Sequence, residues 1–383
     1  MKILLCPDSF KGSLFSWEVS QAMREGLESN TFSGWQIVEK PLADGGEGTV
    51  EAVVRGAGGK IIEREVTGPL GKKVKAQIGI LPDLGVAVLE MAQAAGLLQI
   101  PPSQANPRYT TTYGVGELLK EAYKLGYRKI VLGIGGSATC DGGMGVLQAL
   151  GVRFLDERGE ELAGIGDNLS RIARIDRSGL QPLGGAEILI ACDVENPLYG
   201  PEGAAYVYAP QKGASPKDVA WLDQGLRHYA WMVEESSGIK VDQLSGGGAA
   251  GGIGAGMFAF LGARLVSGIK LIMDLLNLEE EIKTSDWIVS GEGKVDKQTF
   301  YGKVVAGVWE SCKRYRKPLV VVAGMLDPQV FPLLLEKRVP AFSIANGPIT
   351  PAEAMKEAHL LVKQWAVSFG LTIGGVFPDG NQN

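Results

Sequence analysis

The stretch Lys2–Ser13, KILLCPDSFKGS, sets the reading of the fold. Residues 2 to 6 form a short apolar run that suits a buried strand, and Pro7 and Asp8 break it. Ser16 is placed to cap a helix whose apolar face is Val19, Ala22, Met23 and Leu27. A second strand is expected over Trp35–Glu39 and a helix over Thr49–Val54. Strand, helix, strand and helix in this order imply crossovers and therefore a parallel sheet.

The middle of the chain changes character. Ile61–Val66, Val74–Ile80 and Val86–Glu90 are short β-rich runs separated by GPLGKK and LPDLG turns, the pattern of an antiparallel meander. A helix over 114–125 then leads to the strand KIVLGI at 129–134. A further helix starts near Gly143, EILIAC at 187–192 is another buried strand, and 217–236 and 253–262 read as helices. The last hundred residues resume the alternation with DWIVS (286–290), a helix near 303–313, PLVVVAG (318–324), AFSIA (341–345) and a helix near 351–369. The expected fold class is α/β with two domains. Residues 1–62 plus 286–383 make a Rossmann-like parallel-sheet domain from both termini, and 63–285 an inserted mixed-sheet domain. Spacing leaves the unit at 127–150 unassigned between them.

Composition narrows the function. The 383 residues carry 45% hydrophobic and 21% charged side chains, which is ordinary globular usage. With Lys+Arg 38 against Asp+Glu 43 and no basic run, nucleic acid is not the expected partner. Cys6, Cys140, Cys192 and Cys312 are scattered with no CxxC pair, so neither a zinc knuckle nor a disulfide framework is implied. The apolar run in MKILLCPDS is too short for a signal-peptide core, and no span of about 20 apolar residues follows. A cytoplasmic protein without a membrane partner is expected. His228 and His359 both sit in helical patterns far from any glycine cluster, so acid-base work falls to carboxylates or lysines.

Glycine is the outlier, with 54 residues against a usual share of about 7%. Four clusters combine it with acids or hydroxyls. PDSFKGS (7–13) brings Asp8, Ser9, Lys11 and Ser13 to the end of the first strand, where open α/β sheets bind ligands. LADGGEGT (42–49) places Asp44 and Glu47 among three glycines. GIGGSATCDGGMG (133–145), with Gly135, Gly136, Ser137, Thr139 and Asp141, runs from a strand into a helix whose N-terminus suits a phosphate. GGGAAGGIGAG (246–256), with Gly247, Gly248, Gly251 and Gly252, reads either as close helix packing or as a main-chain nest for an anion. Two further strand ends carry acids: Asp193 follows EILIAC, with Gln211 and Lys212 further on, and Glu292, Asp296, Gln298, Thr299 and Lys303 follow DWIVS. Acid, glycine and lysine at several strand ends suit phosphoryl transfer. A Walker A loop is absent, and so is a GxGxxG that follows a strand with an acid about twenty residues later, the pattern that a nicotinamide-dependent dehydrogenase would require. A non-enzymatic sensor on this scaffold would be expected to lack the acid and lysine set.

PDSFKGS, PLADGGEGT, YTTTYGVGELL (109–119), GGSATCDGGMGVLQALG, CDVENPLYGP with APQKGAS, GAAGGIGAG and SGEGKVDKQTFYGK occur in the order and rough spacing of type-1 glycerate kinases, which the sequence resembles over nearly its whole length. The resemblance implies two α/β domains with the active site in the cleft between them, and an ATP- and Mg²⁺-dependent kinase acting on D-glycerate. Its product would be 2-phosphoglycerate, the alternatives being 3-phosphoglycerate or a related small hydroxy acid as substrate. It further implies Asp193 or Asp44 as base with Lys11 beside the transferred group. Asp8, Ser9, Gln298, Lys303 and the glycines and hydroxyls of the two long loops would bind substrate and phosphate. Asp141, Asp296 and Glu292 would hold the metal, for which Asp8 also competes. Cys140 stands where the family commonly has Asn, and a homodimer is left open.

Overall fold

The computed structural model describes residues 1–29, 34–181, 183–300 and 303–374. Its strands are β1 (Lys2–Leu5), β2 (Gln36–Glu39), β3 (Lys60–Thr67), β4 (Lys73–Leu81), β5 (Val86–Glu90), β6 (Lys129–Gly133), β7 (Arg153–Leu155), β8 (Arg174–Asp176), β9 (Glu187–Ala191), β10 (Arg264–Val266), β11 (Trp287–Val295), β12 (Leu319–Leu326) and β13 (Ala341–Ser343). They fall into two compact units, one of Met1–Ala43, Glu51–Ala57 and Ile272–Asn383, the other of Asp44–Val50 and Gly58–Leu271.

The first unit holds a wholly parallel sheet in the order β13-β12-β11-β1-β2. Alternation along β1 sends Ile3 and Leu5 into one core with Val19, Met23, Val289 and Val322, while Leu4 is buried on the opposite face. Each such fully buried aliphatic side chain contributes roughly 1.5–3 kcal/mol. The helices Ser16–Glu28 and Ala358–Gly374 cover that core face. Ser16 is the first helical residue and not the cap expected of it: Phe15 is the N-cap, and the Glu18 carboxylate accepts its N–H at 2.8 Å. In sheet order the chain leaves β1 for β2 on one side and reaches β11 on the other, so the carboxyl ends of β1 and β11 flank a topological switch point.

The second unit holds a six-stranded mixed sheet, β10-β9-β6-β5-β4-β3. β3, β4 and β5 form the expected antiparallel meander, and β5, β6, β9 and β10 continue in parallel. Leu89, Ile130, Leu132 and Ile190 pack with Val115, Leu118 and Leu119 of the helix Tyr113–Lys124. A second core gathers Phe154, Leu222, Leu226 and Tyr229 between the β7-β8 ribbon and the helix Pro216–Ser237. The 127–150 segment falls in this unit, with β6 central in its sheet.

The limits of the units differ from the expected 62/63 and 285/286. β3 pairs along its length with β4 from Lys60 onward, which draws 58–62 into the mixed sheet. At the other limit, Glu279 bonds Arg314 and Tyr315 of the helix Val304–Tyr315, which ties 272–285 to the parallel sheet.

Candidate active site

In the first unit, the residues expected at the strand ends collect around β1 and β11. Asp8 continues the β1-β11 ladder, its N–H donating to the Gly291 carbonyl at 2.8 Å, and its carboxylate accepts the Ser9 N–H at 2.6 Å. Glu292 lies further along β11, partly buried, with Lys11, Asp296 and Lys303 acting on it electrostatically. Burial pushes its carboxyl up and Asp296 pushes the same way, against a Thr299 hydrogen bond and the two lysines. Glu292 Oε1 is enclosed without a hydrogen-bond partner among the described residues. Asp296 accepts the Gln298 N–H at 2.8 Å, and the Thr299 hydroxyl accepts the Asp296 N–H at 2.9 Å. Lys303 is the N-cap position of the helix Val304–Tyr315. Tyr301 and Gly302 of the SGEGKVDKQTFYGK stretch lie outside the described residues.

In the second unit, residues 44–49 of the LADGGEGT loop are laid over the carboxyl ends of β6 and β9. Gly45 (φ +90°) accepts the Gly135 N–H through its carbonyl at 3.0 Å, and a Cβ on Gly133 would sit 2.5 Å from that oxygen. Glycine is needed here because backbone lies on backbone. Asp44 is partly buried, and its Oδ1 accepts the Gly46 N–H at 3.1 Å. Asp193 comes off β9 and caps the helix Gly268–Leu275. Its Oδ1 takes the Ser267 hydroxyl at 2.8 Å and the Gly268 N–H at 2.9 Å, and its Oδ2 takes the Ile269 N–H at 3.3 Å. Burial raises the Asp193 carboxyl, and the charge of Asp44 adds to the rise.

The two long glycine loops are packed against the chain itself. Asp141 is completely buried, and its carboxylate accepts the N–H and hydroxyl of Thr112 and the N–H groups of Gly143 and Gly145, at 2.7–3.3 Å. The Thr112 oxygen accepts the Val146 N–H at 3.0 Å. The N-terminus of the helix Met144–Ala149, expected to cradle phosphate, is thus filled by the chain's own side chains, and both Asp141 oxygens are occupied as anchors of the loop. The 246–256 run shows close packing: a Cβ on Gly251 would meet the Thr139 carbonyl at 2.1 Å, and Gly247, Gly248 and Gly252 likewise face protein atoms within 3 Å. Ser137 and Thr139 line the remaining half of the 133–145 loop, where Lys212 hydrogen-bonds both. Gly136 (φ +69°) turns this loop beside Glu47, whose Oε1 lies 3.0 Å from its Cβ position.

The sequence reading passed over Glu90. It ends β5, is 2% exposed, and accepts the N–H groups of Gly48 and Val50 at 3.1 and 3.3 Å. Burial raises its carboxyl to about 7. An acid closing an otherwise apolar strand was the available signal. The histidines stand apart, His228 bonding the Ile172 carbonyl at 2.7 Å and His359 lying 3.7 Å from Glu25. All four cysteines are free.

Carboxylates, lysines and glycine-lined main chain at the carboxyl ends of parallel strands are the groups that an α/β phosphotransferase uses. The model of the glycerate kinase family matches residues 3–373, and the chain belongs to that family. It is 44% identical to the glycerate 2-kinase of Escherichia coli K12, over 94% of each chain. To the glycerate kinase of Halalkalibacterium halodurans it is 42% identical, over 95% of this chain and 96% of that one. A crystal structure described as glycerate kinase 2 from Salmonella typhimurium LT2 superposes with a TM-score of 0.85 at 43% identity, covering 98% of both chains. Family membership makes the chain an ATP-dependent kinase with glycerate as its small-molecule substrate. Among the described residues no helix is long and apolar enough to cross a membrane.

Proposed function

We propose that the chain phosphorylates D-glycerate at its 2-hydroxyl, with Mg²⁺ and ATP, in the cytoplasm. The 2-position is supported by the E. coli relative, whose name specifies a glycerate 2-kinase. Four unpaired cysteines suit a reducing compartment. The two compact units are read as the two domains of the enzyme.

The observation that carries the assignment of roles is the tie between Asp193 and the start of the helix Gly268–Leu275. Both Asp193 oxygens are taken by three donors that fix a helix start, so its part is to hold that helix in place. Asp44, carried on a loop pinned at Gly45 and Gly48, is the base that accepts the glycerate hydroxyl proton. Lys11 and Lys303 neutralise phosphate charge, with Asp8, Ser9 and Gln298 orienting the substrate groups at the same strand ends. Mg²⁺ is commonly held by one or two carboxylates plus substrate phosphates. Glu292, with its orphaned Oε1, and Asp296 fit that requirement, whereas Asp141 is completely buried with both oxygens already accepting N–H groups of its own loop. When bound, Mg²⁺ offsets charge on the transferred phosphoryl group.

The test is purified protein with ATP, Mg²⁺ and D-glycerate, followed by ADP release. Glycerate-dependent release is expected. ATP consumption no higher than the glycerate-free background would contradict the proposal, and activity confined to another hydroxy acid would reassign the substrate.

A further inference from the structure

We infer that Lys212 is a positioning residue that makes the Ser137 hydroxyl an oxyanion donor. The inference rests on the proposed phosphotransferase reading, and it assigns a role to a buried cation that the reading leaves unused.

Lys212 closes the short turn Pro210–Lys212 and is 2% exposed. Its Nζ donates to Ser137 Oγ and to the Thr139 main-chain carbonyl, both at 2.7 Å. Both acceptors are neutral, and among the described residues no carboxylate lies within ion-pair distance of this ammonium; Asp141 acts on it only from further away. Enclosing a lysine without a counter-charge is costly, and burial draws its pKa down to about 8. A lysine that merely pinned the loop could be replaced by a neutral donor at no such cost.

The hydrogen bonds around Ser137 give this charge a use. Ser137 Oγ accepts from Lys212, so the serine's own proton is directed away from the lysine, and Ser137 sits at 9% exposure on the loop that follows β6. On the same loop the Thr139 hydroxyl is fully buried without a hydrogen-bond partner among the described residues. An acceptor arriving at this loop takes the Ser137 proton in a bond strengthened by the ammonium behind it. The matching chemistry is an oxyanion, either a phosphate oxygen of ATP or the carboxylate of glycerate.

The test compares the wild-type chain with Lys212→Met, Ser137→Ala, Ser137→Thr and the Lys212→Met/Ser137→Ala double variant, measuring kcat, both KM values and thermal melts. Lys212→Met and Ser137→Ala are expected to raise the same KM by about tenfold or more while kcat falls by less than about fivefold. The double variant should be no worse than Ser137→Ala alone, and Ser137→Thr should restore most of the affinity. A rise in the KM for ATP identifies phosphate as the anion, and a rise in that for glycerate identifies the carboxylate. Effects that multiply in the double variant would overturn the inference. So would Ser137→Ala with both KM values within about twofold of wild type, a result that decides the matter even where Lys212→Met does not fold. Should the wild-type chain itself not turn over glycerate, the functional reading fails. The inference is then decided by the melting shift that ATP or glycerate gives the wild-type chain: its loss in Ser137→Ala supports the inference, and its retention overturns it.

Discussion

The Glu90 carboxylate accepts the Gly48 N–H at 3.1 Å, and through that bond the end of β5 fixes the loop that carries Asp44. The acid is 2% exposed, and burial holds its pKa near 7 against an ordinary 4.5. Between those two values the folded chain keeps a proton that the unfolded chain has shed. The stabilisation is therefore full below about pH 4.5 and is lost as pH rises through about 7, amounting at most to about 3 kcal/mol. Glu90→Gln has no proton to lose, so its stability should vary less with pH over this window. Urea unfolding of both proteins between about pH 5 and pH 8 checks this, and equal slopes would contradict it.

Asp141 offers a separate test, because its four buried hydrogen bonds assign it to loop structure. Asp141→Ala strands the N–H groups of Thr112, Gly143 and Gly145 and should cost roughly 3 kcal/mol or more. The Mg²⁺ concentration for half-maximal activity should stay unchanged in whatever folded enzyme remains. A large rise in that concentration with unaltered stability would return Asp141 to the metal.

Asp44 and Asp193 are predicted to separate in kinetics. Asp44→Asn should lower kcat by on the order of a hundredfold to ten-thousandfold while ATP still binds by calorimetry. Asp193→Asn replaces one accepting oxygen with an N–H donor and leaves a main-chain N–H at the start of Gly268–Leu275 without its acceptor, which should cost about 1 kcal/mol of stability and less than tenfold in kcat. The reverse ranking would make Asp193 the base.

The fold was legible wherever a strand is a continuous apolar run. β1, β6 and β9 announce themselves in KILLC, KIVLGI and EILIAC, and the GPLGKK and LPDLG turns mark the meander. β7, β8 and β10 escaped because each has only three residues and, unlike β13 in AFSIA, no longer apolar run around it, and β10 finds its partner β9 far back in sequence, with Arg264 opposite Leu189. For the site, glycine beside acid located the loops but not the direction each carboxylate turns. Asp141 turns inward onto its own main chain, whereas Asp44 rides on a loop anchored by Glu90, an acid that reads as an ordinary strand residue. The glycine runs carried the same ambiguity, since a backbone open to a ligand and a backbone packed against another backbone, as at Gly251 on Thr139, need the same residue.

The central claim is tested most directly by ³¹P NMR of the mixture formed from ATP, Mg²⁺ and D-glycerate. 2-Phosphoglycerate and ADP should accumulate in equal amounts, and only when glycerate is present. ATP consumption no higher than the glycerate-free background would contradict the kinase account, and 3-phosphoglycerate as the sole initial product would contradict its choice of hydroxyl.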